Sequence, residues 1–307
     1  MSNIFSIKRQ GIRYKINMLE FKISILNPAK VNSIYHELKK KKVPITEVPK
    51  AKGILRNMQL GAVKLLKEID YICKKNGLEY LIVRGSVLGA YRHQGFIPWD
   101  DDLDICLWRN DYEKLYKIFN KETRNKDLYI DFSGDSLGNL FLKVRHKKIP
   151  QIFIDIYPYD FYGDLSKKEK NELHKLRMMI RKRIIKHTEG ISYKNKYKLI
   201  KFEILTNRII QPDNENKKII ATGYDSQNQR YKKFNTDTCI LDYDMIYPFR
   251  KMKFEDMEVN VPNKTEEYLT NFYGDFMQYP KKVVGHHTDI TLIPEENKKA
   301  LEEFINS

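Results

Sequence analysis

The chain has 307 residues, 41% hydrophobic and 12% aromatic, enough to bury a sizeable core, which excludes a wholly disordered protein. Its three cysteines, Cys73, Cys106 and Cys239, have neither zinc-type nor disulfide spacing, and no run approaches the roughly 18 apolar residues of a membrane-spanning helix. A net charge of +16 suits a phosphorylated or polyanionic partner, or equally a lysine-rich solvated surface, and composition does not choose between them.

In chain order, residues 1–50 read as a basic extension. Lys8, Arg9, Arg13, Lys15, Lys22, Lys30, Lys39, Lys40, Lys41, Lys42, Lys50 and Lys52 face only Glu20, Glu37 and Glu47, so residues 1–52 hold nine of the sixteen excess charges. The first residues mix charges among apolar side chains and lack the compact apolar stretch of a signal peptide, so a cytoplasmic location is expected. Pro44 and Pro49 punctuate the end of this segment.

The core is expected over 51–165. Leu55, Met58, Ala62, Leu65, Leu66, Ile69, Ile72 and Cys73 fall on one helical stripe that Asn76-Gly77 terminates. Tyr80-Leu81-Ile82-Val83 reads as a strand, 87–92 as a short helix, and Gly95 and Pro98 mark a loop. A second strand over 103–107 precedes a helix from Asn110, its expected cap, through Phe119. Strands are predicted over 128–132, 140–145 and 152–157. Residues 166–245 are expected to be a basic helical region, with the helix itself over 166–205, and 246–307 to return to the core and end in a helix near Pro294. This order predicts an α+β fold with an α/β-type core: a mixed sheet flanked by helices, with helical additions.

Two features point to chemistry. Gly85-Ser86 lies between a strand and a helix start, where glycine admits close approach, serine supplies a hydroxyl, and helix-start N–H groups favour phosphate. Asp100, Asp101, Asp102 and Asp104 then crowd four carboxylates into five positions. On an extended strand Asp102 and Asp104 project to one side while Leu103 and Ile105 enter the core, and Asp100 shares the alternation unless the loop after Pro98 breaks it. Neighbouring carboxylates repel unless a cation lies between them, and hard oxygen donors suit Mg²⁺ or Mn²⁺. Asp155, flanked by Ile154 and Ile156, offers a third carboxylate on another strand. An isolated acidic run is more often a solvated loop; here it is embedded in apolar sequence just downstream of Gly85-Ser86.

The run Gly85-Ser86-Val87-Leu88-Gly89-Ala90-Tyr91-Arg92-His93, followed by Gly95-Phe96-Ile97-Pro98-Trp99-Asp100-Asp101-Asp102, resembles the signature of the LicD family within the nucleotidyltransferase superfamily, with fukutin-type transferases more distant. The helix containing Gln59, Leu60 and Cys73, then Ile154-Asp155-Ile156-Tyr157-Pro158, Pro262, Tyr273-Gly274-Asp275 and Pro280 extend the likeness over roughly 53–165 and 250–290. The resemblance implies attack of a glycan hydroxyl on a CDP-activated alcohol, usually CDP-choline, with release of CMP. It implies Asp102 and Asp104 as metal ligands, Asp155 as a third ligand or the acceptor of the hydroxyl proton, and Gly85 and Ser86 as holders of the diphosphate. Such a transfer requires cations near the phosphates. Lys143 and Arg145, alternating on one strand face, and Arg92 are the candidates, with a role as sheet-edge guards equally open for the first two.

Trp99, Tyr91, Tyr157 and Tyr159 suit packing more than ligand stacking, and His286-His287 is a weaker metal or acid candidate. The expected partners are a CDP-alcohol and a glycan or lipid-linked glycan, with the basic 1–50 and 167–201 segments touching an anionic membrane from its cytoplasmic side. The alternatives are transfer of a nucleoside monophosphate to an RNA, protein or small molecule, and, last, nucleic-acid binding around a structural Asp cluster.

Overall fold

The computed structural model describes residues 5–10, 13–18, 21–26, 42–134, 140–162, 168, 218–220, 240–280 and 290–307. The helix expected over 166–205, Lys168 apart, and His286-His287 lie outside them. Strands β1 (Phe5–Gln10), β2 (Arg13–Met18) and β3 (Phe21–Leu26) form an antiparallel three-stranded sheet within the basic extension, which the sequence reading did not foresee.

Helix α1 (Gly53–Asn76) follows the apolar stripe: Leu65, Leu66, Ile69 and Ile72 recur at three- and four-residue spacing and are fully buried. It stops where Gly77 turns left-handed, φ 63°, and sends its N–H back to Cys73 and Lys74 carbonyls. Strand β4 (Tyr80–Ile82), helix α2 (Gly85–His93), strand β5 (Asp104–Trp108) and helix α3 (Arg109–Glu122) follow in order. Asn110 is not the cap of α3. Trp108 occupies that position in extended conformation with no side-chain cap, and Asp111 in the first turn accepts a bond from the Glu79 N–H at 3.1 Å. Strands β6 (Leu128–Gly134), β7 (Leu140–His146) and the 14-residue β8 (Ile149–Tyr162) complete the core.

These strands run in the order β6-β7-β8-β5-β4; β5 and β8 are parallel and the other pairs antiparallel. Two short strands, β9 (Lys218–Ile220) and β10 (Ile240–Asp242), join through the end of β8 and make seven. They are strand pieces within the 166–245 segment read as helical. Helix α4 (Tyr243–Ile246), the hairpin β11 (Arg250–Phe254) and β12 (Met257–Val261), α5 (Thr265–Tyr273) and α6 (Glu295–Asn306) close the chain.

Alternation gives the sheet two different faces. Ile82, Ile105, Leu107, Leu142, Val144, Ile154, Ile156, Ile130 and Phe132 are buried on one of them. Helices α1 and α3 cover it: a Cβ on Gly61 of α1 would touch Ile152, and Tyr116 of α3 meets Phe132 edge-on at 6.4 Å. A bidentate ion pair ties α3 to this face, Arg109 to Asp160 at 2.7 Å, with both side chains almost wholly buried. The other face carries Asp104, Asp155, Lys143 and Asp131.

Candidate active site

On that face the register sets a row of charges across four strands. Asp104 of β5 lies opposite Asp155 of β8, Asp155 opposite Lys143 of β7, and Lys143 opposite Asp131 of β6. Adjacent strands are about 4.8 Å apart, so Asp104 and Asp155 are side by side. Lys143 Nζ pairs with Asp155 Oδ1 at 2.6 Å and sits 3.6 Å from the centre of the Phe153 ring. Arg145, one alternation further along β7, reaches Ser133 Oγ at 3.3 Å and Asp131 at 3.6 Å, away from the Asp104–Asp155 pair.

The Asp100–Asp102 segment sits at the entrance to β5, in the loop that α2 feeds. Ser86 Oγ accepts the Asp104 N–H at 2.9 Å and so pins the first residue of the strand. The Asp155 N–H donates to Leu103 O at 3.0 Å, extending the β5–β8 ladder back toward Asp102. A Cβ on Gly85 would lie 3.2 Å from Asp100 Oδ2, so a side chain there would crowd the acidic cluster. Carboxylate oxygens of Asp100, Asp101 and Asp102 all lie within 4.8 Å of one another. Burial, then the neighbouring Asp102, Asp101 and Asp104, push the Asp100 carboxyl well above the usual range, and it shares a hydrogen bond with Asp102. Carboxylates this close share a proton or share a cation, and an all-oxygen set fits Mg²⁺ or Mn²⁺.

The alternation of Asp102 and Asp104 thus leads into two adjoining groups, the Asp100–Asp101–Asp102 loop and the Asp104–Asp155 pair. Asp101, 5% exposed, was not singled out from sequence because alternation turns it away from Asp102 on a strand; in a loop that rule lapses.

Arg84 was passed over too. Its guanidinium lies 4.4 Å from the centre of the Tyr157 ring. Burial opposes its charge, yet Tyr157 and Asp104 more than offset this, and its pKa lies above the ordinary value. Its backbone has φ 52°, costly for a residue with a side chain, and its N–H is held by the Tyr268 hydroxyl of α5 at 3.0 Å. Positive φ at a non-glycine residue leaves no mark in sequence. Arg92, at the far end of α2, is buried and donates to the Gln278 carbonyl at 3.2 Å. Trp99 stacks on Tyr279 at 6.5 Å, Tyr91 meets Phe276 edge-on at 5.3 Å, and Tyr159 meets Trp108 at 6.3 Å, all packing contacts.

Residues 77–197, which contain α2, the acidic loop and the β5–β8 pair, match the family model described as LicD/FKTN/FKRP, nucleotidyltransferase domain. Over those residues this chain is similar to the LicD family. Lipopolysaccharide cholinephosphotransferase LicD of Haemophilus influenzae is 26% identical over 258 residues, 74% of this chain and 92% of that protein. An uncharacterized Rickettsia typhi protein is 32% identical over 125 residues, 38% of either chain. Human ribitol 5-phosphate transferase FKRP is 26% identical over 87 residues, 27% of this chain and 17% of its own length. The match to the Haemophilus protein thus reaches well beyond the LicD domain itself, whereas the human one is confined to a segment.

Proposed function

We propose that the protein is a metal-dependent transferase that moves a phospho-alcohol group, phosphorylcholine from CDP-choline, onto a hydroxyl of a cell-surface glycan or its lipid-linked precursor, releasing CMP. The observation that carries this is the Asp104–Asp155–Lys143 row beside the Asp100–Asp102 cluster and the Gly85-Ser86 helix start. The names of the Haemophilus and human relatives, both transferases of phosphate-linked alcohols, support the same class.

In this reading Asp102 and Asp104, with Asp100, hold Mg²⁺ or Mn²⁺, which supplies charge neutralisation on the diphosphate when bound. Gly85, Ser86 and the start of α2 receive phosphate oxygens. Arg84 and Lys143 bring positive charge to the same face, where developing negative charge on oxygen needs it. Asp155, paired with Lys143, takes the proton of the attacking hydroxyl. The basic extension is assigned to an anionic membrane surface bearing the lipid-linked acceptor; liposome binding indifferent to anionic lipid content sinks that part. Among the described residues no helix is long and apolar enough to cross a membrane.

The deciding measurement is CMP release from CDP-choline, CDP-ribitol and CTP with Mg²⁺ or Mn²⁺, before and after chelation. Metal-dependent release from one CDP-alcohol, lost in Asp102→Ala/Asp104→Ala, is expected. Pyrophosphate release from CTP instead would reassign the protein to nucleotidyl transfer.

A further inference from the structure

Two side chains, Gln59 and Glu255, reach the acidic loop, and Arg56 links them. Gln59 of α1, 2% exposed, donates through Nε2 to the Asp100 carbonyl at 2.9 Å and more weakly to the Ile97 carbonyl at 3.4 Å. Ile97 O also accepts the Asp100 N–H at 2.9 Å, so one amide closes both ends of the 97–100 turn. The orientation of that amide is fixed from behind: Arg56 donates to Gln59 Oε1 at 3.2 Å. Arg56 in turn grips Glu255 through two bonds, at 2.9 and 2.7 Å, and Lys50 adds a third at 2.7 Å.

Glu255 is the turn residue of the β11–β12 hairpin and reaches the same loop directly. Its N–H donates to the Gln94 carbonyl at 2.7 Å, and its Oε1 accepts the Phe96 N–H at 3.3 Å. The loop is shaped for this carboxylate. A Cβ on Gly95 would collide with Glu255 Oε1, and one on Gly89 would collide with the Gly95 carbonyl. The loop is therefore trapped between α2 and the hairpin, with the amide of Gln59 as its last tie before Asp100.

We infer that the Glu255–Arg56–Gln59 relay is a positioning device that sets the peptide between Asp100 and Asp101, and so the direction of the carboxylates that receive the cation. Gln59 and Arg56 are positioning residues and touch neither donor nor acceptor. The inference rests on the reading of the acidic loop as a cation site. Partners that orient metal-ligating groups are worth on the order of 10–100-fold in metal affinity.

The test is Mn²⁺ binding to the full chain, followed by calorimetry and by electron paramagnetic resonance of the free ion, without any donor nucleotide. Gln59→Met keeps the length of the side chain and removes the amide. It is expected to weaken Mn²⁺ binding by about tenfold or more while the thermal midpoint and near-ultraviolet circular dichroism stay close to wild type. Arg56→Met, at a partly exposed position, is expected to cost several-fold, and the double variant less than the product of the two, because Arg56 acts partly through Gln59. Unchanged Mn²⁺ affinity in a folded Gln59→Met protein, or losses that simply multiply in the double variant, overturns the inference and leaves the proposed transferase intact. Wild type that binds no Mn²⁺ overturns the cation reading itself and this inference with it.

Discussion

At the scale of single residues, the proposed chemistry turns on charges held in fixed register. Lys143 pairs with Asp155 and lies against Phe153, so Lys143→Ala removes a cation from the reacting face without opening the apolar layer beneath. Turnover is expected to fall about 10²–10³-fold with little change in thermal midpoint; full activity would remove Lys143 from the site. Gly95→Ala makes the opposite prediction. Its Cβ meets the Glu255 carboxylate, so stability should fall by about 1–3 kcal/mol, measured by urea denaturation. The placement of Gly85, Ser86, Asp104 and Asp155 was legible where turn chemistry or alternation applied: the first two open α2, and the last two lie opposite one another on neighbouring strands. The surroundings of Arg84, Asp101 and Gln59 were not legible, because they depend on a left-handed backbone, a loop conformation and a carbonyl partner, that of Asp100, about forty positions downstream.

At the scale of elements, period and punctuation were sufficient for α1, with its stripe and its Gly77 stop, and for the core strands, whose apolar residues alternate. They failed for the β11–β12 hairpin, where only Phe254, Val259 and Val261 are strongly buried and no turn glycine announces the reversal; Glu255 takes φ 55° there instead. That hairpin turn has a titration of its own. Burial would raise the Glu255 pKa, but hydrogen bonds from Arg56 and Lys50 outweigh it and hold the carboxyl at about 2, below its ordinary 4.5. A depressed carboxylate pKa stabilises the fold fully above the ordinary value, and the stabilisation is lost as pH falls toward 2. Wild type should therefore lose up to about 3 kcal/mol more than Glu255→Gln between pH 5 and pH 2, read from denaturation curves at each pH. Parallel curves for the two proteins would remove the clamp from the stability of the molecule.

At the scale of the whole molecule, the core is closed by its ends. Phe254, Val259, Val261, Tyr268, Leu269, Leu301 and Phe304 are buried in the same cluster as α1 and the central sheet. A chain cut after residue 249 loses all of them, together with the Tyr268 hydroxyl that holds Arg84. Such a chain is expected to show no cooperative thermal transition, checked by calorimetry against the full protein. Within the fold, Asp160→Ala strands Arg109 without its partner in a dry layer and should cost about 3–5 kcal/mol. The bulk charge, by contrast, was plain in the sequence and says nothing about this architecture, because net charge governs partners and solubility rather than fold.

The clamp on the acidic loop also orders events in time. Asp100 is fixed by groups that include Glu255, 155 positions later in the chain, so the loop cannot take its working shape until the hairpin has been made and docked. At roughly 5–20 residues per second, a ribosome needs about 8–30 seconds to pass from one to the other. On the proposed reading of the loop, a nascent chain that already carries Asp100 through Asp155 stays inactive until the hairpin docks, so activity waits on folding across that whole span.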